Sequence, residues 1–307
     1  MAPPQYFCFF RPVQPNFSSV LPPPSYHLCR TEAWLPLRLP LALTSLAVAT
    51  LASSHIFVPT TPAREAKANA QASRTPVILE LFTSEGCSSC PPADTLVAGL
   101  EEQQPVPGVE IIALEEHVDY WNHLGWTDPF SSEQWTERQQ VYAASHNSQS
   151  VYTPQIVVNG RTEFVGSRAQ EARQTIVASM SQLQTEISLT PRSSDKYDRD
   201  QFNVSVGKLA GAAPSDTPEV WIAITEKGLH SSVSGGENAG HDLHHASIVR
   251  LLRKLGTADK SNAPSFAAQP ELKLDSSWKR PNLRVIAFVQ EKRSRHLVGA
   301  TSATLEP

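Results

Sequence analysis

The hydrophobic pattern changes character along the chain. Through residues 1–35 apolar and polar positions follow no period, and residues 39–52 then form an apolar run. From residue 76 the pattern is that of a folded protein. Residues 76–82, Pro-Val-Ile-Leu-Glu-Leu-Phe, are nearly all apolar and rich in β-branched and aromatic types, which predicts a strand buried on both faces. Ala93, Leu96, Val97 and Leu100 then fall on one helical face behind Pro91 and Pro92. Proline suits a first helical turn because N–H groups there lack partners anyway. A second strand is expected over residues 109–114. Ser131 with Gln134 predicts a capping box for a helix carrying Trp135, Val141 and Tyr142 and ending near His146. Residues 155–158, the pair Asn159-Gly160 and residues 161–165 predict a hairpin. Residues 168–183 predict a last helix.

After Thr190-Pro191 the period drops to two. Phe202, Val204 and Val206 recur at every second position, as do Val220, Ile222 and Ile224, and Ile286 and Phe288 alternate with Val285, Ala287 and Val289. Period two with Gly and Pro turns predicts an all-β, sandwich-like domain. The expected organisation is a leader over residues 1–74, an α/β domain over 75–185 and a smaller β-rich domain over 186–307.

The apolar run at 39–52 follows Arg30 and Arg38 and precedes small residues, among them Ala68-Asn69-Ala70. A positive flank, an apolar core and an Ala-x-Ala site form the pattern of a secretory signal peptide. The run is shorter than the about 20 residues of a membrane span. The protein is therefore expected to be exported, periplasmic or secreted, from a signal peptide within a disordered leader. The alternative is a membrane-anchoring helix over residues 39–58, and membrane association is expected only through an uncleaved leader. The net charge of −4 and the lack of a long basic run argue against nucleic acid as a partner, since phosphate binding needs clustered Lys and Arg.

Of four cysteines, Cys8 and Cys29 lie upstream and Cys87 and Cys90 form a C-x-x-C pair. One close pair in a long chain reads as redox or metal chemistry rather than as a disulfide scaffold. Its setting is strand, Gly loop, C-x-x-C, helix. A helix N-terminus carries partial positive charge, so a thiolate there is stabilised and its pKa falls. Cys87, nearer the helix tip, is expected to be the more exposed nucleophile and Cys90 the resolving thiol. A structural zinc site needs two further ligands, and no second C-x-x-C exists. Thr153-Pro154 stands just before a strand and is a candidate cis peptide. The proline shapes a groove, and the Thr153 backbone can pair with an extended client.

Strand, C-x-x-C, helix, a Thr-Pro strand, an Asn-Gly hairpin and a terminal helix together resemble the thioredoxin superfamily. Residues 80–94, Glu-Leu-Phe-Thr-Ser-Glu-Gly-Cys-Ser-Ser-Cys-Pro-Pro-Ala-Asp, with His-Val-Asp-Tyr-Trp at 117–121 and Tyr-Thr-Pro-Gln at 152–155, closely resemble an exported bacterial family, the domain of unknown function numbered 1223. The resemblance implies an α/β, thioredoxin-like fold with an inserted helix, and Cys87, Cys90 and Pro154 at the redox positions. It implies no substrate. The Ser-Ser spacer and the extra helix before Pro154 depart from ordinary thioredoxins.

The function expected is thiol–disulfide exchange with thiol or disulfide clients, needing no cofactor. Cys87, Cys90 and Pro154 are the catalytic candidates, Thr153, Tyr152 and Trp121 the substrate-binding ones, and Glu80 and Asp119 the possible proton acceptors. His117 and His123 flank an aromatic cluster with Tyr120, Trp126 and Trp135; they read as structural histidines or, for His117, as a group tuning Cys87. His241, His244 and His245, with Glu237 and Asp242, lie in a Gly-rich loop and read first as loop residues without a ligand role. Two other readings stay open: an envelope zinc- or copper-binding protein using the cysteines with histidines, and a binding module that keeps only the fold. A structural disulfide that never turns over is a further alternative for the cysteine pair.

Overall fold

The computed structural model describes residues 74–192 and 199–305. Cys8, Cys29 and the expected signal peptide lie outside the described residues. The chain runs β1 (Thr75–Thr83), α1 (Pro91–Gln103), β2 (Val109–His117), α2 (Glu133–Ser145), β3 (Gln155–Val158), β4 (Thr162–Val165), α3 (Ala169–Ala178) and β5 (Ile187–Arg192). It continues through β6 (Arg199–Val206), β7 (Pro218–Lys227), β8 (His230–Ser232), β9 (Asp242–His244), β10 (Ser247–Thr257), β11 (Phe266–Ala268), β12 (Glu271–Lys273), β13 (Leu283–Glu291) and β14 (Leu297–Thr304). The fold is mixed α/β, with few helices around one large sheet. Ser132, one residue beyond the expected Ser131, caps α2 by accepting the Gln134 N–H at 3.2 Å. The hairpin turn holds Asn159 at φ 48° and Gly160 at φ 65°, the left-handed pair that fits the twist of two-residue hairpins.

Eight strands form one sheet in the order β14-β13-β7-β10-β2-β1-β3-β4, with β1 and β2 parallel. Here the structure differs from the expected division near residue 185. The C-terminal strands do not make a separate sandwich. β10 lies parallel to β2, Ile248 opposite Glu115, and extends the N-terminal sheet. The reason is visible in β7: Val220, Trp221, Ile222, Ala223 and Ile224 are apolar without a break. Such a strand is covered on both faces, and the recurrence of branched aliphatic residues at every second position masks this. A second sheet, β11-β6-β12 with β5 against β6, does cover one face. Leu189, Phe202, Val204, Val206 and Leu272 pack there on Val220, Ile222, Ile224, Val285, Ala287 and Val289.

Strand alternation assigns every other residue to one of two cores. Val77, Leu79 and Leu81 of β1, and Val109, Ile111 and Ala113 of β2, face α1 and α3. Ile78, Ile112 and Leu114 face the other way, where Trp135 of α2 packs together with Ala223, Val249, Ile286 and Phe288. That second core crosses the junction between the two halves, so α2 rests on both.

The same alternation buries a charged cluster beneath α2. Arg138 Nε donates to Glu80 Oε2 at 2.6 Å, and its other nitrogens reach Gln290 Oε1 and the Tyr142 hydroxyl, both at 3.3 Å. Glu80 also accepts the Tyr142 hydroxyl. The Glu116 carboxylate lies 3.2 Å from Arg138 Nε; burial holds its pKa well above the ordinary value, only partly offset by that guanidinium. Removing one partner of a buried ion pair typically costs about 3–5 kcal/mol, because the other charge stays uncompensated. Arg138→Met is therefore expected to destabilise the protein by about that amount, read as a lowered urea midpoint. A loss under 1 kcal/mol would show that the cluster is neutralised by protons instead.

Candidate functional site

At the end of β1 the chain passes through Ser84, Glu85 and Gly86 into a disulfide between Cys87 and Cys90. Cys90 is the N-cap of α1, with Pro91 and Pro92 in the first turn. Ala93 and Asp94 donate their N–H groups to the Cys90 carbonyl at 2.8 and 3.2 Å. Trp121 lies close behind. A Cβ on Gly86 would come within 3.0 Å of Trp121 Cβ, and the indole N–H donates to Thr153 Oγ1 at 2.8 Å. The Thr153–Pro154 bond is cis, and Pro154 packs with Ala93 of α1 and Leu81 of β1 around Gly166. The disulfide, Trp121, Thr153 and Pro154 are thus gathered at one end of α1. Tyr152 turns its hydroxyl to Glu163 of β4, a bond that, with burial, raises its pKa.

Both expected proton acceptors lie elsewhere. Glu80 points to the α2 face with Arg138, while α1 covers the opposite face. Asp119 accepts the Thr136 hydroxyl at 2.6 Å at the start of α2. The acid on the face of α1 is Asp94, one turn past Cys90, buried and accepting the Thr83 hydroxyl at 2.7 Å. Burial, then repulsion from Glu115, raises its pKa to about 7.

Cys87 is not the exposed cysteine that its place at the helix tip suggested, for both cysteines are 0% exposed. The cover comes from the segment between β8 and β9. Asn238 donates one amide to two carbonyls, Glu85 O at 2.8 Å and Cys87 O at 3.1 Å. Glu237 accepts from the Ser88 N–H at 3.1 Å and from its hydroxyl at 2.7 Å, and these bonds lower its pKa. Gly235 presses on Gly125, whose carbonyl oxygen would be only 2.4 Å from an added Cβ. The Gly-rich segment is therefore a lid over the disulfide, and only Ser88 and Ser89 of the C-x-x-C loop remain exposed.

Behind the lid runs a row of buried acids and imidazoles that sequence reasoning did not assemble. His117 contacts Asp128 Oδ2 through Nδ1 at 2.7 Å and Glu115 Oε1 through Nε2 at 3.2 Å. His245 contacts the same Glu115 Oε1 through Nδ1 at 3.0 Å and Glu85 Oε1 through Nε2 at 3.0 Å. Trp126 N–H donates to Glu85 Oε2 at 2.8 Å. Burial opposes charge on both rings, but the carboxylates outweigh it. The pKa of His117 stands well above its ordinary value, chiefly through Asp128, and that of His245 at about 9 through Glu115 and Glu85. Burial also opposes the Glu115 charge, yet the two histidines hold its pKa at about 2. The signal was present in the sequence: Glu115 and His117 close an apolar strand on one face at period two. Among the described residues, Glu115, His117 and His245 form the cluster able to hold a metal ion; it includes no cysteine. His230, Asp242 and His244 form an exposed group on the β8–β9 hairpin. His123 and His241 are exposed and belong to neither group.

These features define an α/β protein with a lidded disulfide at a helix N-terminus. The chain belongs to the family described as protein of unknown function, DUF1223, which matches residues 78–290. The crystal structure of protein AGR_C_4864 from Agrobacterium tumefaciens is similar, with 25% identity and a TM-score of 0.55 over 78% of this chain and 100% of that one. HBP35 of Porphyromonas gingivalis shares the fold at 17% identity and a TM-score of 0.56, over 76% of each chain. No curated protein matches the sequence.

Two outcomes follow. A hydrogen bond contributes about 1 kcal/mol, so Asn238→Ala, which removes two, is expected to speed reduction of the disulfide by dithiothreitol about tenfold or more. An unchanged rate would mean that reduction bypasses the lid. The second concerns Asp94, which in the folded chain keeps its proton to about pH 7 but in the unfolded chain loses it near 3.8. The native state then binds more protons, so this group's contribution to stability falls as pH rises between those values. Asp94→Asn is expected to gain stability relative to the wild type progressively from about pH 4 to about pH 7, measured by denaturant unfolding. A pH-independent difference would contradict the assignment.

Proposed function

We propose that the unit from β1 to α3 is a thioredoxin-like domain and that the protein is an exported thiol–disulfide oxidoreductase. The observation that carries this reading is the Cys87–Cys90 disulfide at the N-terminus of α1, with Pro154 packed against the same helix. The strand order β2-β1-β3-β4 and the C-x-x-C sequence support it, and the leader pattern supports export, where a disulfide persists. The lid opens, and the reduced Cys87 thiolate attacks a client disulfide. A mixed disulfide forms and one client thiolate leaves. The Cys90 thiolate then attacks Cys87 Sγ, restoring the internal disulfide and releasing the second client thiol, so the client gains two electrons and this chain loses them. Asp94, on the face of α1, receives the Cys90 proton. The reverse sequence oxidises a dithiol client.

A second reading, a structural disulfide that does not turn over, is favoured by the complete burial of both cysteines. Equilibration with glutathione buffers separates the two. The oxidoreductase shows a reversible two-electron transition, traps mixed disulfides on Cys87 in a Cys90→Ser variant, and loses exchange in Cys87→Ser. A pair that stays oxidised across the whole buffer range would establish the structural disulfide.

A further inference from the structure

We propose that Glu115, His117 and His245 form a buried binding site for one divalent transition-metal ion of the zinc class, independent of the cysteines and of the redox reading. The geometry comes first. A tetrahedral zinc ion with bonds of about 2.0–2.1 Å sets its ligand atoms about 3.3 Å apart. Glu115 Oε1 lies 3.2 Å from His117 Nε2 and 3.0 Å from His245 Nδ1, and the three ligand atoms all lie within 4.8 Å of one another. Closing the widest separation to a tetrahedral edge takes about 1.5 Å at most.

The surroundings are those of a ligand set rather than of an accidental cluster. A metal-ligating histidine characteristically donates its other ring N–H to a carboxylate, which fixes the ring and its tautomer. Both histidines have that partner: Asp128 Oδ2 on His117 Nδ1 at 2.7 Å, and Glu85 Oε1 on His245 Nε2 at 3.0 Å. The second Glu115 oxygen is held by the Ala246 N–H at 2.5 Å. Each of the three ligands is therefore oriented from behind by a separate contact. A divalent cation would take the place of the two protons through which the imidazoles bridge these carboxylates, so binding leaves the charge of the buried row unchanged. Imidazole with carboxylate suits zinc, copper, iron and nickel over calcium or magnesium. Three protein ligands leave the ion a fourth position. Because His245 leads from the lid hairpin into β10, a bound ion would also fasten the lid to β2.

The test uses the purified full chain in its oxidised state. It is stripped with chelator, loaded with zinc alone and then assayed for bound metal; a cobalt-loaded sample gives the coordination from its visible spectrum. The expected result is one equivalent of ion, in a four-coordinate nitrogen–oxygen site without thiolate absorption. It is retained by Cys87→Ser/Cys90→Ser and by His230→Ala/His244→Ala, which removes the exposed histidine pair of the β8–β9 hairpin. Affinity is expected to fall at least 100-fold in His245→Ala and about 10–100-fold in Asp128→Asn, with circular dichroism confirming folding. Should these variants not fold, ring-nitrogen NMR of the wild type reads the same site: zinc must shift His117 and His245 and leave His230 and His244 in place. Absence of a stoichiometric ion, its loss from the exposed-histidine or cysteine variants, or its retention by a folded His245→Ala would overturn the proposal.

Discussion

The two halves of this protein meet at the carboxylate of Glu115. One of its oxygens holds the Ala246 N–H where β10 begins, and the other faces both His117 and His245. At the same residue the β2–β10 pairing places Ile248 opposite Glu115. This acid thus ties the junction to the base of the lid, beside the Ser247–Glu101 and Arg284–Glu110 contacts that cross the same junction. The lid's hold on the dithiol loop depends on that base. A charge this deeply buried is tolerable only because two imidazoles and a backbone N–H attend it.

Period-two alternation explains why one sheet carries two different polar clusters. Glu115 and His117 fall on the α1 face; Glu80 and Glu116 fall on the α2 face with Arg138. The acids adjacent in sequence, Glu115 and Glu116, therefore work in separate environments. Glu115 is held charged by histidines, while burial pushes the Glu116 pKa upward. The apolar residues between them make the sheet a partition between the dithiol side and the side that braces α2.

Much of the local structure was legible in the sequence. The strand, Gly loop, C-x-x-C and helix are read directly, as are the helix after the aromatic segment and the Asn159-Gly160 hairpin, because each has its own period or turn chemistry. Pro154 and Trp121 were legible as candidates, and the structure brings them to the same end of α1. The junction was not, since a central strand such as β7 repeats branched aliphatic residues at every second position even when both faces are covered. Nor was the burial of Cys87, because its cover arrives from residues 233–240, about 150 positions downstream. Long-range pairing of that kind leaves no local periodicity. Glu80 and Asp119 have the chemistry of proton acceptors; only the facing of the strand separates Glu80 from the disulfide and brings forward Asp94.

The shared sheet has a consequence for how such a protein can be divided or recombined. Were the chain to end near residue 185, β2 would become an open edge, and Glu115 would lose His245 and the Ala246 N–H. Unpaired edge strands invite association with other chains. The N-terminal half is therefore not a portable module that could be shuffled between genes as an independent unit. The cover of its disulfide and the pairing of its edge come from the strands that follow it, so the whole span must be gained, kept or lost together.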